Sequence, residues 1–294
     1  MIGKTESICN KKKNKMDVIE SMKKEMLRRR FSLRTIKSYM FCVKKFLVFY
    51  QRELRSINKY DVIDYLNKLT EENYSGSTIN INLQALKFLM EEILHKKKTF
   101  YHIKYSKTPL TLPEVLTKDE IVKLIYTITN QKHQLMIKLM YSAGLRVSEL
   151  VHLKVKDFEF DNNYGWVRNG KGNKDRLFIV AKKIKKELQD YIQKEGVTLD
   201  SWLFQGNNDH HLSSRSIQEI VKKAAKKARI NKRVHPHTLR HSFSTHLIEN
   251  GSDVTSVQSL LGHNSLETTM IYVHMASPKM INVISSLDGL ELGS

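Results

Sequence analysis

The apolar periodicity that marks helices along this chain lapses once, between Lys96 and Leu116, and two of the four prolines, Pro109 and Pro113, stand in the gap. Proline removes a backbone donor and drives the residue before it toward extended conformations, so this stretch neither continues a helix nor enters the interior of a sheet. The reading is a linker over residues 99–116, separating a domain at 16–98 from a second at 117–276. A chain of 294 residues is long enough to give each its own core. The polar, Lys-rich start at 1–15, with Lys11-Lys12-Lys13, predicts disorder, and 277–294 forms a tail.

Before the linker the pattern is helical throughout. Met16 to Arg29 is amphipathic, and Ser32 can cap a helix from Leu33 to about Gln51 that sets Ile36, Met40, Val43 and Leu47 along one face. Asn58 can cap Lys59 to Leu69, and Ser77 can open a longer helix through Leu83, Leu86 and Leu89 to Leu94. After the linker, Thr117-Lys118-Asp119-Glu120 has the form of a capping box, and a helix follows around His133–Ser142. The period then shortens. Lys156–Phe160, Gly165–Val167 and Arg176–Val180 read as three short antiparallel strands, joined by turns at Asp161–Gly165 and Gly170–Asn173. Helices near Ala181–Lys194, Ser213–Arg229, Pro236–Asn250, Val254–Leu261 and Leu266–His274 follow, with Gly251 and Gly262 as stops. The expected fold class is mainly α, with a small antiparallel β-sheet in the second domain.

Fifty Lys and Arg against thirty Asp and Glu give a formal charge of +20. Basic faces bind polyanions by displacing counterions from phosphates. Residues 1–116 carry 24 basic and 12 acidic side chains, a net +12, and residues 117–294 carry 26 and 18, a net +8, so both domains are expected to touch nucleic acid. Basicity alone also fits a Lys-rich surface that serves solubility, and the motifs decide between the two. Cys9 and Cys42 are isolated thiols without Cys-x-x-Cys spacing, which argues against a disulfide framework or a zinc ribbon. No apolar run approaches the ~20 residues of a membrane span, and the N-terminus lacks the apolar stretch of a signal peptide, so a soluble cytoplasmic protein is expected. No Gly-x-x-x-x-Gly-Lys-Ser/Thr loop occurs, no paired acidic motif for Mg²⁺ stands near the candidate catalytic residues described below, and no cofactor or metal is expected.

Four short motifs remain, in one order. Arg146 lies in Ala143-Gly144-Leu145-Arg146-Val147-Ser148-Glu149-Leu150, and Lys171, Lys174 and Arg176 lie in Gly170-Lys171-Gly172-Asn173-Lys174-Asp175-Arg176. His237-Thr238-Leu239-Arg240-His241 follows, and Leu261-Gly262-His263 precedes Tyr272. A phosphodiester under attack gathers negative charge on its equatorial oxygens, and preorganised donors aimed there lower the barrier. Arg146 and Arg240 are the candidate clamp, because guanidinium binds phosphate oxygens in a fork and keeps its charge. The plainer alternatives are an Arg146 that runs into solvent after a helix-ending glycine and an Arg240 paired with a surface carboxylate. On a helix His237 shares a face with Arg240 and His241. That His pair at i and i+4 has no third metal ligand in evidence, so zinc is the weaker reading. Lys171, on a glycine-flanked hairpin, can protonate the departing sugar oxygen, while Lys174 and Arg176 suit phosphate contacts; a solvated basic turn is the plainer account of all three. A phenol ionises near pH ~10, so Tyr272 attacks only with help from cations or a base.

The ordered set resembles the tyrosine recombinases, the integrase and Xer group of site-specific DNA strand-exchange enzymes, most closely over Leu116 to His274. The phrases "GLRVSEL", "GKGNK-R", "HTLRHSF-THL" and "LGH-S---T--Y-H" carry it. The resemblance implies a helical core-binding domain, an α+β catalytic domain and a covalent phosphotyrosine intermediate. It makes Tyr272 the nucleophile, Arg146, Lys171, His237, Arg240 and His263 its catalytic partners, and Glu149 a support for Arg146, and it leaves His241 as structural. The implied partner is double-stranded DNA, clamped by a homo-tetramer on paired sites, with Lys44 and Lys87 as DNA contacts of the first domain. A nucleoid-associated protein acting in chromosome or plasmid dimer resolution, or in integration and excision of a mobile element, follows, and a second recombinase subunit stays open. The apolar tail is expected to dock on a neighbour's groove or on its own domain. A type IB topoisomerase, a non-catalytic DNA-binding regulator on the same fold, and a metal-dependent nuclease are the rival readings.

Overall fold

The structure is a computed structural model, and it describes residues 17–51, 53–96, 103–108, 112–170, 174–206, 210–263 and 265–276. The expectations of disorder at 1–15 and of a docking tail at 277–294 fall outside these. The chain divides into two compact units, with the boundary between Leu110 and Thr111.

The first unit is helical. After α1 (residues 17–28), α2 (Leu33–Phe49) starts where Ser32 accepts a hydrogen bond from the Thr35 amide, and α3 (Lys59–Glu71) starts with a full capping box between Asn58 and Asp61. Ile36, Val43, Phe46 and Leu47 are the buried face of α2, while Met40 is only half-buried. The fourth helix, α4 (Gly76–Phe88), differs from expectation at both ends. Its cap is Ser75, whose side chain accepts from the Thr78 amide, so Ser77 sits inside the first turn. At the other end it widens into a π-helical turn, Leu89–Ile93, in which the Leu94 amide donates to the Leu89 carbonyl at 3.0 Å. Met22, Met26, Phe46, Leu83 and Leu86 fill the core.

The second unit starts with α5 (Lys118–Tyr126), opened by the Thr117–Glu120 capping box. Next comes α6 (Gln131–Ala143), which buries Leu135, Met136, Ile137, Leu139 and Met140 in the core and keeps Lys138 on its outer side, paired with Glu187. The sheet is shorter than expected. Val155–Asp157 is a tight 3₁₀ turn, closed by the Lys154 amide donating to Asp157 at 2.8 Å, and β1 is only Phe158–Glu159. It pairs antiparallel with β2 (Tyr164–Val167), which pairs with β3 (Arg176–Ile179) in the register Val167 to Arg176. Along β3 the alternation puts Arg176 and Phe178 inside and Leu177 and Ile179 outside.

Helices α8 (Lys182–Lys194) and α9 (Ser214–Lys227) lay one apolar stripe each on this core. The next helix, α10 (Pro236–Glu249), is buried on nearly all sides, and its two serines are satisfied locally: Ser242 donates to the Thr238 carbonyl and Ser244 to that of Arg240, both at 2.8 Å. Small residues let α6, α11 (Val254–Leu261) and α12 (Glu267–Met275) pack closely against it. No helix of the described residues is long and apolar enough to cross a membrane.

Candidate active site

The site begins where α6 ends. Gly144 adopts φ +57°, and a Cβ there would lie 2.4 Å from the Phe243 ring, so only glycine allows this reversal. The chain then buries Leu145 and starts a short helix, α7 (Val147–Val151), which the sequence pattern did not announce. Arg146 is its N-cap, and Glu149, one turn on, reaches back to it: the Arg146 amide donates to Oε2 at 2.9 Å and Nη1 to Oε1 at 2.6 Å.

Glu149 is the hub. Its Oε2 also accepts from Nη2 of Arg176 at 2.6 Å, and Nη1 of Arg240 lies 3.9 Å away. Burial alone would raise its pKa. The charge and hydrogen bond of Arg176, with the Arg146 amide and charge, overcome that and hold it at about 2. Three guanidinium groups thus share one carboxylate, leaving two positive charges without a protein counter-ion in the cluster.

Arg240 is 3% exposed. Its Nη1 donates to the Gly144 carbonyl and its Nη2 to that of Leu261, both at 2.6 Å, so it bridges the C-terminal ends of α6 and α11, where helix dipoles favour a cation. Burial, then the like charges of Arg146 and Arg176, pull its pKa down to about 9, which leaves it charged at neutral pH. Nη2 also lies 3.3 Å from Nε2 of His263, whose Nδ1 is 3.0 Å from the Thr269 hydroxyl. Burial and the neighbouring arginines depress His263 to about 4, so it is neutral.

Tyr272, on α12, is 3% exposed and stacks on His263, with ring centroids 6.2 Å apart. Its hydroxyl lies 3.0 Å from Nδ1 of His241. Burial raises the pKa of the phenol, with Arg240, the Ser244 hydroxyl and Arg146 acting in opposition. His237 stands exposed at the start of α10, its ring centroid 6.4 Å from that of His241.

The structure therefore brings Arg146, Arg240, His263 and Tyr272 together, with His237 one helical turn from His241. Lys171 lies outside the described residues; the hairpin that carries it is closed by the Gly170 amide donating to the Lys174 carbonyl at 3.0 Å. Lys174 is exposed beside it. Arg176 requires a correction. Expected on the surface as a phosphate contact, it is buried, with Nη2 on Glu149 and Nη1 on the Leu260 carbonyl. Gly262 (φ +61°) leaves room for it, since a Cβ there would lie 2.8 Å from Arg176 Cδ. In the first unit Lys44 is exposed, whereas Lys87 is half-buried, its Nζ 3.4 Å from the Ile103 carbonyl and 4.8 Å from the Tyr105 ring centre. Among the described residues no group of three or more His, Cys, Asp or Glu is placed to hold a metal ion.

Arg146 opens on one side into a cleft of about 660 Å³ that Lys154, Lys156 and Arg168 also line. A low-dielectric cluster with excess guanidinium charge at the edge of a basic cleft is built to take an anion of phosphate type. A phenol held against the same arginines can become a nucleophile toward it.

Residues 114–278 match the phage integrase family, and residues 18–99 match the N-terminal SAM-like domain of phage integrases. The tyrosine recombinase XerA of Pyrococcus horikoshii is 36% identical over 265 residues, which cover 88% of this chain and 90% of that protein. Among solved structures, the XerH site-specific recombinase bound to its palindromic difH substrate, a post-cleavage complex, is 26% identical with a TM-score of 0.72, over 86% of this chain and 79% of that one. A lambda integrase dimer bound to a core site shares the fold at 18% identity and a TM-score of 0.71, over 87% of this chain and 94% of that one.

Proposed function

The chain belongs to the phage integrase family of tyrosine recombinases, DNA strand transferases, and on that footing we propose that Tyr272 is the nucleophile with which it cuts and rejoins double-stranded DNA. The observation that carries this reading is the cluster of Arg146, Arg176 and Arg240 on the single carboxylate of Glu149, with Tyr272 packed against α10, the helix that carries Arg240. Arg146 and Arg240 hold the scissile phosphate. Each guanidinium has five N–H donors, and those directed at protein oxygens leave others for the charge that grows on phosphate during attack. Arg176 acts through Glu149, fixing its carboxylate so that Arg146 stays aimed. Lys171 protonates the departing sugar oxygen, His237 contacts the phosphate, and His263 acts on it through Arg240, whose Nη2 it orients. Lys174, Lys44 and Lys87 contact the DNA backbone.

The phosphotyrosine ester retains the energy of the broken bond, so a DNA hydroxyl can rejoin the strand without a nucleotide or a metal. The working assembly is a homo-tetramer on two sites, and its task is Xer-like resolution of dimeric replicons or movement of a mobile element on the nucleoid. The 36% identity to a XerA recombinase along most of both chains supports the Xer-like role.

The test is to select bound sequences from random duplex DNA with the full chain, place two copies of the recovered site on a supercoiled plasmid, and look for recombinant circles. Site-dependent recombinants are expected. Relaxation of a plasmid lacking the site, without recombinants, would establish the topoisomerase reading instead.

A further inference from the structure

His241 lies on the face of α10 toward α12, and its Nδ1 is 3.0 Å from the Tyr272 hydroxyl. We propose that His241 is the general base that takes the phenolic proton of Tyr272 as its oxygen attacks phosphorus. This rests on Tyr272 being the nucleophile and adds a residue to which sequence reasoning assigned only a structural part.

Three lines meet on it. First, the proton has to leave. Burial keeps Tyr272 protonated at neutral pH, and a neutral phenol is a poor nucleophile. Second, His241 is ready to receive it. Burial, then the neighbouring His237, His235 and Arg240, pull its pKa down to about 4, so one ring nitrogen carries a lone pair; a scissile phosphate seated among these cations offsets their charge and restores basicity, and hydrogen-bond distance to the hydroxyl meets the geometric requirement of a base. Third, the other imidazole against Tyr272 is turned away. Nη2 of Arg240 is a donor, so Nε2 of His263, 3.3 Å from it, is the acceptor, and Nδ1–H of His263 donates to the Thr269 hydroxyl. His263 therefore meets Tyr272 with the face of its ring, whereas His241 meets it with a nitrogen.

The step balances as an in-line displacement. The Tyr272 O–H bond breaks and its proton passes to Nδ1 of His241; the oxygen forms a bond to phosphorus; the bond from phosphorus to the leaving sugar oxygen breaks, and that oxygen takes a proton from a separate acid. In rejoining, the imidazolium returns its proton to the departing phenolate. The proton must cross only one hydrogen bond in either direction.

The experiment uses the full chain on a nicked duplex carrying the selected site, with adduct formation followed in single turnover. His241→Asn keeps a polar atom near the position of Nδ1 without its basicity, and His241→Ala leaves a space for added imidazole. Both are expected to form adduct about 10²-fold or more slowly than wild type, the contribution of a positioned base, with imidazole restoring the Ala variant. A second arm bypasses the phenol. In a Tyr272→Phe background, DNA whose scissile phosphate is esterified to p-nitrophenol is joined to a DNA hydroxyl, and adding His241→Ala is expected to leave that rate unchanged. Cleavage by His241→Asn at the wild-type rate would overturn the proposal, as would a bypass reaction slowed as much as cleavage, which would make His241 a support for the whole site. Failure of the Tyr272 reading shows up separately, as an adduct that persists in Tyr272→Phe alone.

Discussion

Replacing Glu149 with Gln removes the one carboxylate that faces Arg146, Arg176 and Arg240 while keeping its shape. The structure gives two routes to the cost. The carboxyl falls from an ordinary 4.5 to about 2 in the folded chain. At about 1.4 kcal/mol per tenfold change this is roughly 3 kcal/mol of stability at neutral pH. Breaking a buried ion pair by removing one partner costs about 3–5 kcal/mol, in agreement. For a domain of this size each kcal/mol moves the midpoint by about 2–4 °C, so Glu149→Gln should melt roughly 6–12 °C below wild type. The sign of the pH dependence is fixed as well. A carboxyl whose folded pKa is depressed contributes fully above its unfolded value and loses that contribution as pH falls toward the folded one. The gap between wild type and Glu149→Gln should therefore be full above pH about 5 and close as pH drops toward about 2. Calorimetric melts of both proteins across that range measure it. An unchanged melting temperature at neutral pH, or a gap that does not narrow on acidification, would refute the account of Glu149 as the hub.

Arg146→Ala and Arg240→Ala should each slow cleavage by about 10²-fold or more while weakening binding far less, because the clamp matters most as charge accumulates; single-turnover cleavage beside gel-shift titration separates the two. Lys171→Ala should be largely restored by a substrate whose leaving oxygen is replaced by sulfur, since a thiolate departs without protonation, and equal defects on both substrates would remove Lys171 from the acid role. Gly144→Ala should cost at least about 1–2 kcal/mol of stability from backbone strain alone, since it forces a side chain into the left-handed region and against the Phe243 ring, and a denaturant melt reads it directly.

The parts of this architecture legible in the chain are those set by local interactions. Ser32, Asn58 and Thr117 cap helices through bonds spanning three residues, so their letters carry the geometry. Ser77 misled for the same reason: Ser75 satisfies the rule equally, and only the fold chooses between them. The inward turn of Arg176 was within reach, because it shares the inner face of β3 with Phe178, and period-two alternation, carried on by the buried Val180 just past the strand, takes the cation inside with them. Its identity as a basic residue in a basic turn hid that. The bond from His241 to Tyr272 was out of reach, since it joins residues 31 apart on two helices whose packing no local pattern fixes. Contacts that distant are set by how α10, α11 and α12 pack, and sequence periodicity reports which face of a helix is buried without saying against what.

The central claim is that the oxygen of Tyr272 becomes bonded to DNA phosphorus. It is tested most directly by trapping the wild-type chain on a labelled, nicked duplex carrying its own site, in excess EDTA, and sequencing the labelled peptide by mass spectrometry. The account predicts a denaturant-resistant adduct mapped to Tyr272 and absent from a Tyr272→Phe variant that still binds the DNA. An adduct on another residue, or one formed by Tyr272→Phe at the wild-type level, would contradict it.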